Sequence, residues 1–346
     1  TMAARLEFHV LNVGQGSGNF VEIFKEDSDT VPTTTVLIDL GSEGASKSHD
    51  GPSVELVIAR LNTMSSPEIA CLCLSHSDTD HISMILQLLA AFDPPGTVSP
   101  TKKTLTIKTA YYGGNPSLYR KRKNANVLTK VAEYMNGKKP QPVTSNTSTY
   151  VDNSAPLYED SKISLKVQLL IGNTTKVSED EIDDSSDLPK TGAVNLNTVS
   201  LVVVVDWNDV QFITTGDATG ITMLRANGVM GTGSGSFFKA PLMLTIPHHG
   251  SWATAFDFTG QNLSGLDKKR EQIALFARRC GAFTLTASAG NANKFRHPSA
   301  EILDIFWRFA SDHVPYKDPA ATVTNAHFYT AYYSVFDGFQ LTTDDD

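Results

Sequence analysis

Four side chains able to bind a metal lie within six residues of this sequence, between two apolar segments. They are His76, Asp78, Asp80 and His81. The preceding residues, 68–74, have the character of a buried strand, and residues 82–90 have that of a helix. Imidazole and carboxylate groups are the usual ligands of zinc and of harder divalent metals. Because four of them on one strand-to-helix turn would repel one another without a cation, the turn predicts a metal site.

Three more strand-like segments end in residues that suit the same chemistry. One ends at Asp217, one ends at the pair His248 and His249, and one is followed by residues 291–297, which end at His297. Strand ends that meet at one edge of a sheet can build a site from residues far apart in the chain. We therefore expect these segments to contribute to the same site as the first motif.

The other apolar segments predict the elements that hold these residues in place. Residues 5–13 and 19–24 predict a hairpin, whose glycine-rich turn lacks the ending typical of a phosphate-binding loop. A second hairpin is predicted from two strands that end at Asp206 and Asp217, with its turn at 207–209. Further predicted elements are a strand at 34–39, helices at 52–61 and 299–309, and a strand at 330–336.

Two polar stretches interrupt this regular pattern. Residues 95–165 are irregular and rich in Thr, Ser and Asn towards their end, and residues 172–196 are polar and acidic. We interpret such stretches as insertions or loops. The sequence therefore predicts one domain over residues 1–346, with an insertion at 95–165.

Composition limits the class of protein. The 346 residues are 40% hydrophobic and 19% charged, which is typical of a soluble globular protein with a substantial core. The sequence has no run of eighteen apolar residues, so we predict no membrane span and no membrane partner. The N-terminal residues are too short and polar to suggest a signal peptide. Three cysteines give no disulfide framework, and we predict a cytoplasmic location.

The charge of the chain bears on its partners. A net charge of −8 argues against strong, indiscriminate binding to nucleic acid, which needs a basic surface. Local basic clusters at 102–103, 120–123, 268–270 and 294–296 nonetheless leave a polyanionic substrate possible. The usual interpretation of such clusters is a solvated face.

Cys71 and Cys73 alternate along one strand and are expected to be small core residues.

Taken in order, these motifs resemble the metallo-β-lactamase superfamily, and more narrowly the hydrolase domain of ComEC-type competence proteins. The similarity extends from Phe8 to Gln340 and includes the segments 8–17 and 37–41. Its strongest elements are the motifs His-x-Asp-x-Asp-His at 76–81, Thr-Gly-Asp at 215–217, Pro-His-His-Gly-Ser at 247–251 and Asn-x-Phe-Arg-His-Pro at 293–298. The resemblance implies an α/β fold, a four-layer αββα sandwich with a dinuclear metal site at one edge.

Roles for individual residues follow from this resemblance. His76 and Asp78 would bind one divalent ion, and Asp80 and His81 the other. Asp217 would bridge the two ions, and His248 would complete the second site, with His249 as the alternative. The implied catalytic residues are Asp80, which would orient a metal-bound water, and His249 or His297, which would protonate the leaving group. The implied substrate-binding residues are Asn197, Ser251 and Arg296.

The sequence departs from the commoner superfamily pattern in two places. Asp78 stands where a histidine is usual, and no histidine occurs between His81 and His248, where Asn197 or Ser200 takes the place of a further ligand. The first site is therefore rich in oxygen ligands, which favour manganese or magnesium relative to zinc. The two divalent ions are expected to be zinc or manganese, with magnesium possible. A weak or empty first site is the alternative.

The function implied is metal-dependent hydrolysis of phosphodiester bonds in DNA, RNA or a nucleotide. Hydrolysis of a small ester, lactone or lactam is an alternative, as is a binding module of the same fold without activity.

Simpler interpretations of single residues also stay open. Asp217 is consistent with a helix N-cap. Asp39 is consistent with a structural turn, although the resemblance implies that it supports the metal ligands. His297 suits a helix start, and Arg296 suits a surface charge.

Overall fold

The chain forms two compact units, each built around one mixed β-sheet. The first unit comprises Thr1–Pro142 and Asn325–Asp346, and the second comprises Val143–Thr324. The computed structural model describes residues 5–43, 47–97, 99–120, 126–143, 148–151, 154–173, 196–231, 237–238, 241–287, 298–310, 328–334 and 338–343.

The first unit contains an eight-stranded sheet. Its strands are β1 (Arg5–Leu11), β2 (Gly16–Phe24), β3 (Thr34–Ser42), β4 (Glu68–Leu74), β5 (Thr106–Tyr112), β6 (Gln141–Pro142), β13 (Phe328–Ser334) and β14 (Gly338–Thr343), in the spatial order β14-β13-β1-β2-β3-β4-β5-β6. Its helices are α1 (Lys47–Thr63), α2 (Thr79–Ile82), α3 (Ile85–Ala90), α4 (Val127–Glu133) and a 3-10 turn at Pro116–Tyr119.

Strand direction in this sheet changes at β3. The hairpin β1–β2 and the pair β2–β3 are antiparallel, whereas β3, β4 and β5 run parallel. Strands β2, β3 and β4 are buried almost throughout, as expected of central strands covered on both faces. Because β3 and β4 are parallel neighbours, their carboxyl ends lie side by side and bring the residues that follow them together.

The second unit contains a six-stranded sheet. Its strands are β7 (Tyr158–Asp160), β8 (Leu165–Ile171), β9 (Val202–Trp207), β10 (Val210–Thr214), β11 (Pro241–Thr245) and β12 (Thr284–Thr286), in the order β12-β11-β10-β9-β8-β7. Its helices are α5 (Gly220–Val229), α6 (Trp252–Ala255), α7 (Leu266–Cys280), α8 (Ala300–Trp307) and 3-10 turns at Leu196–Val199 and Pro247–Gly250.

This sheet also changes direction once. Strands β7 to β10 are antiparallel, and β10, β11 and β12 are parallel. The β9–β10 hairpin turns through Asn208 and Asp209, whose φ values of 51° and 66° suit a two-residue turn between twisted strands. Buried side chains of α5, α7 and α8, including Met223, Phe276 and Phe306, pack into one hydrophobic cluster with the sheet.

The α/β fold class predicted from the sequence is confirmed, since each unit combines a mixed sheet with helices. Both predicted hairpins are present, and Cys71 and Cys73 are buried on one face of β4 with their sulfur atoms 3.7 Å apart. The range 95–165, predicted as an insertion, contains β5 and β6 of the first sheet and β7 of the second. Within the described ranges, no helix is long and apolar enough to span a membrane.

One predicted helix is divided into two in the structure. A continuous helix was expected over 82–90, but α2 begins earlier, at Thr79, and a separate helix α3 follows it. Two contacts with the end of β3 account for the break. The Ser83 hydroxyl donates to the Ser42 carbonyl and accepts from the Ser42 N–H, and the Met84 N–H donates to the Leu40 carbonyl. The chain is therefore attached to β3 at the point where α2 ends.

Candidate metal-binding centre

The first cluster of predicted ligands lies where β4 ends in the first unit. His76 follows β4 directly, and Asp80 and His81 lie in the single turn of α2. Both imidazoles are fully buried, and their ring centroids are 4.1 Å apart. The short helix is held at its start by the His81 N–H, which donates to the Asp78 carbonyl. The structure therefore brings His76, Asp78 and His81 together, with Asp80 in the same turn.

Asp39 orients this cluster from the end of β3. Its carboxylate accepts hydrogen bonds of 2.6 Å from both the N–H and the hydroxyl of Ser75, and it lies 2.8 Å from Nδ1 of His81. Asp39 is buried and has a left-handed φ of 57°, an uncommon backbone conformation outside glycine. It is thus a turn residue and also a partner of the predicted ligand His81, so both interpretations of Asp39 hold.

The hydrogen-bond pattern determines which nitrogen each histidine presents. The single hydrogen of the Ser75 hydroxyl donates to Asp39, so the Ser75 oxygen accepts from Nδ1 of His76, 3.1 Å away. Nδ1 of His81 likewise donates to the Asp39 carboxylate. A neutral imidazole that donates from Nδ1 carries a lone pair on Nε2. Both histidines therefore have Nε2 available for a metal, because a hydroxyl or a carboxylate accepts from their Nδ1 atoms. This arrangement is common around metal-bound histidine.

The geometry at Asp78 fits a cation. Its carboxylate Oδ2 lies 3.7 Å from Nε2 of His76. When Nε2 carries a lone pair, two acceptors face each other across this distance and repel unless a positive charge lies near both. The donor set of the first cluster, two imidazoles and two carboxylates, therefore fits a divalent metal.

Burial, with a further contribution from Asp39, raises the pKa of the nearby Tyr119 well above its usual value. That hydroxyl is consequently neutral, and it donates to the Gly113 carbonyl.

The second cluster lies in the second unit, where β10 and β11 end side by side. Asp217 follows β10, and His248 and His249 follow β11 in the 3-10 turn. The His248 N–H donates to the Gly216 carbonyl over 3.0 Å, which ties the two strand ends together. The Asp217 carboxylate is buried and lies 3.0 Å from Nδ1 of His248 and 3.5 Å from Nε2 of His249. Both imidazoles therefore reach one carboxylate, and either can act with it as a ligand.

The backbone at the two histidines is strained. His248 and His249 have φ values of 44° and 53°, in the left-handed region, and Gly250 continues it with 79°. Left-handed backbone costs a residue with a side chain about 1–2 kcal/mol. Strain of this kind persists where the surroundings impose it, and it concentrates at functional sites. Gly250 is required here also because a Cβ atom would lie 2.6 Å from Cβ of Pro298.

The remaining predicted site residues have defined places. The Nδ2 atom of Asn197 lies 2.7 Å from Nδ1 of His248, so Asn197 contacts a predicted ligand. The Ser251 side chain is buried and caps α6 by accepting from the Thr254 N–H. Arg296 and His297 lie outside the described residues.

The N-cap interpretation of Asp217 is wrong. Thr219 is the N-cap of α5 instead, with its side chain accepting from the N–H of Thr222. Ser200, which the sequence suggested in the place of a further ligand, accepts a hydrogen bond of 2.9 Å at its hydroxyl oxygen from the Asp217 N–H.

One residue beside this cluster was missed in the sequence. Trp252 follows Ser251 directly, is 40% exposed, and has its indole N–H bonded to Glu301. A tryptophan in an apolar context usually indicates core, so the sequence pattern alone gave no reason to single it out.

Comparison with known proteins finds similarity at the level of solved structures. No protein-family model matches the sequence, and no curated protein matches it. The metallo-beta-lactamase fold protein YhfI from Bacillus subtilis is 13% identical, with a TM-score of 0.44, covering 87% of this chain and 93% of that one. Tm1679, described as a metal-dependent hydrolase of the beta-lactamase superfamily, is 15% identical, with a TM-score of 0.40 and coverage of 89% and 94%. Unliganded yeast PDE1 is 11% identical, with a TM-score of 0.45 and coverage of 89% and 94%.

Proposed function

We propose that this protein is a metal-dependent hydrolase that cleaves phosphodiester bonds in DNA, RNA or a nucleotide. The observation that carries the proposal is the pair of buried histidines, His76 and His81, which present Nε2 atoms because Ser75 and Asp39 hold their Nδ1 atoms. Buried imidazoles backed in this way, next to carboxylates, are typical of metal ligands rather than of core histidines.

We further propose that the chain binds two divalent ions, zinc or manganese, with magnesium as a further candidate. The ligands of the first ion would be His76 and Asp78. Asp80 and His81 would hold the second, with His248 or His249 completing its set and Asp217 shared by both. The contacts of His248 and His249 with Asp217 support placing these three residues in one ligand set.

The chemistry follows from these residues. Divalent ions at such a site lower the pKa of water and stabilise negative charge on a phosphoryl oxygen. Asp80 would orient the attacking water through its carboxylate. A histidine that is not a ligand would give a proton to the leaving oxygen, and His249 is the first candidate for this role and His297 the second. Asn197 would hold the His248 ring, and Arg296 would bind phosphate as a charged donor.

The choice of substrate class rests on the ligand types. Asp78 in place of a histidine gives the first site more oxygen ligands, and oxygen ligands suit manganese and magnesium, which commonly serve phosphate chemistry. The ordered motifs that resemble ComEC-type hydrolase domains support the same substrate class, and we propose that a cytoplasmic nucleic acid or nucleotide is the substrate. Hydrolysis of a small ester, lactone or lactam is the competing activity.

Metal content is the first test. Elemental analysis of the purified protein, after loading with manganese or zinc and removal of free metal, should give about two ions per chain. Asp80→Ala and Asp217→Ala should each lower the content, while Asp267→Ala, which changes a fully exposed side chain of α7, should not. A content below one ion per chain that none of these substitutions alters would overturn the proposal.

Activity is the second test. The loaded protein should hydrolyse bis(p-nitrophenyl) phosphate and single-stranded DNA, and both ligand variants should lose this activity while keeping a wild-type circular dichroism spectrum. Turnover of nitrocefin or of a lactone without turnover of phosphodiesters would favour the competing activity. Bound metal with no turnover of any of these substrates would identify a binding module.

A further inference from the structure

Trp252 is an exposed aromatic residue placed directly after the second cluster. It is 40% exposed, although it begins helix α6 and follows His249 by only three residues. Three peptide units span at most about 11 Å between Cα atoms, so the indole lies within reach of a substrate held at His249. The turn and the helix are continuous, since the Ser251 N–H donates to the His248 carbonyl over 2.8 Å.

The indole ring is fixed in orientation by two neighbours. The ring of Phe256 stacks on it, with centroids 4.6 Å apart and an interplanar angle of 20°. The indole Nε1–H donates to Oε2 of Glu301 over 2.7 Å, and the Arg270 guanidinium donates to the other oxygen of that carboxylate over 2.6 Å. The exposed part of the ring is therefore not the face that Phe256 covers, and little rotamer freedom is left for a ligand to remove.

Two basic side chains of α7 contact Phe256, the residue that stacks on Trp252. Arg270, which holds Glu301, also lies 6.0 Å from the ring centroid of Phe256, and Lys269 donates to the Phe256 carbonyl. Lys268 precedes them in the first turns of α7 and is exposed. A fixed aromatic ring next to cationic groups is the combination with which proteins bind single-stranded nucleic acid, by base stacking and by attraction of phosphates.

We propose that Trp252 is a stacking platform for one unpaired base of the substrate, next to the phosphodiester that is cleaved. This inference rests on the proposed function and makes it narrower, because a base must leave its duplex stack before it can lie against the indole. The protein would therefore prefer single strands and mononucleotides to duplexes. The aromatic ring gives this preference without selecting one base, because every base has a flat apolar face.

The experiment compares strands with and without bases. Fluorescence anisotropy would measure the binding of a short, hydrolysis-resistant phosphorothioate oligothymidylate, and of an abasic strand of the same length, to the metal-loaded full chain. Trp252→Ala should weaken binding of the oligothymidylate by about 5- to 150-fold, the range expected for one stacked base, and should leave binding of the abasic strand unchanged. Trp252→Phe, which keeps an aromatic ring, should retain most of the affinity.

Phe283→Ala is the matched control, since Phe283 is an equally exposed aromatic residue of the same unit, at 40%. It should bind both strands as the wild type does. Equal losses for both strands in Trp252→Ala, or no loss for either, would overturn the inference. If the wild type hydrolyses bis(p-nitrophenyl) phosphate but binds the two strands equally, the proposed function stands and the stacking role fails. If the wild type hydrolyses no phosphodiester, the proposed function itself fails, whatever the binding shows.

Discussion

Gly41 offers a way to disturb the first cluster of proposed ligands without replacing any of them. It lies in β3 directly beneath α2, and a Cβ atom at this position would lie 2.4 Å from the nitrogen of Ile82 and 2.5 Å from the carbonyl carbon of His81. Both are backbone atoms, so no side chain can turn away. Restoring an ordinary contact of 3.4 Å to the Ile82 nitrogen requires α2 to move by about 1 Å.

The size of the effect follows from this displacement. Overpacking of a well-ordered interior costs about 1–3 kcal/mol, and we expect Gly41→Ala to lower the free energy of unfolding by that amount. Gly41 has no positive φ, so the cost is steric and not conformational. A shift of about 1 Å in a catalytic group lowers a rate by about 100-fold, and the turn that moves carries Asp80 and His81. Phosphodiester hydrolysis should therefore fall by much more than stability alone explains.

Urea unfolding followed by circular dichroism, metal content and the hydrolysis rate would be measured on the same preparation. Gly228→Ala is the control, because a Cβ atom at Gly228 in α5 meets nothing within 4 Å. It should raise helix stability by up to about 1 kcal/mol and leave the rate unchanged. A Gly41→Ala protein with wild-type stability and wild-type rate would refute the packing argument, and lost stability with a full rate would refute the placement of α2 at the site.

Three further predictions concern other groups. Asp39→Asn removes the negative charge that faces His81 and should weaken metal binding about 10- to 100-fold in a chelator competition, an effect that exposed Asp267→Asn should lack. Burial raises the pKa of Asp206, so ionisation of this carboxyl group opposes folding. The contribution of Asp206 to the free energy of unfolding is therefore present at low pH and is lost as the pH rises through the raised pKa. Asp206→Asn should therefore be more stable than the wild type at neutral pH and equal to it in acid, by urea unfolding at both pH values. Burial also raises the pKa of Cys280, and the three cysteines are buried, so none should react with a thiol reagent until urea unfolds the chain; rapid native labelling would contradict this packing.

The parts of the fold that local pattern determines were predicted well. Apolar segments predicted β4 with its observed ends and located the β9–β10 hairpin. The residues that form a buried strand or a turn are consecutive in the sequence, so a local pattern reveals them. The break between α2 and α3 was not predicted, since it depends on Ser83 bonding to Ser42, a contact between residues far apart in the chain. Local pattern contains no information about such a partner.

The candidate site likewise has features that local sequence predicts and features that depend on contacts between distant residues. The types of the proposed ligands in the first cluster were evident from their spacing, and the resemblance implied a supporting role for Asp39. The hydrogen bonds of Asp39 with Ser75 became visible only once β3 and β4 were seen as parallel neighbours. The exposure of Trp252 depends on how α6, α7 and α8 pack, and no single segment determines it. The types of side chain at the site could therefore be predicted where they are adjacent in the sequence. Their positions could be predicted only where a single strand or turn determines them.

The left-handed backbone at His248 and His249 has a consequence for directed evolution. Glycine adopts this conformation without steric cost, so a library selected only for thermal stability should replace one or both histidines by glycine or asparagine. A library selected for turnover should keep them. The identity of the residues recovered at these two positions would thus report which property the selection rewards.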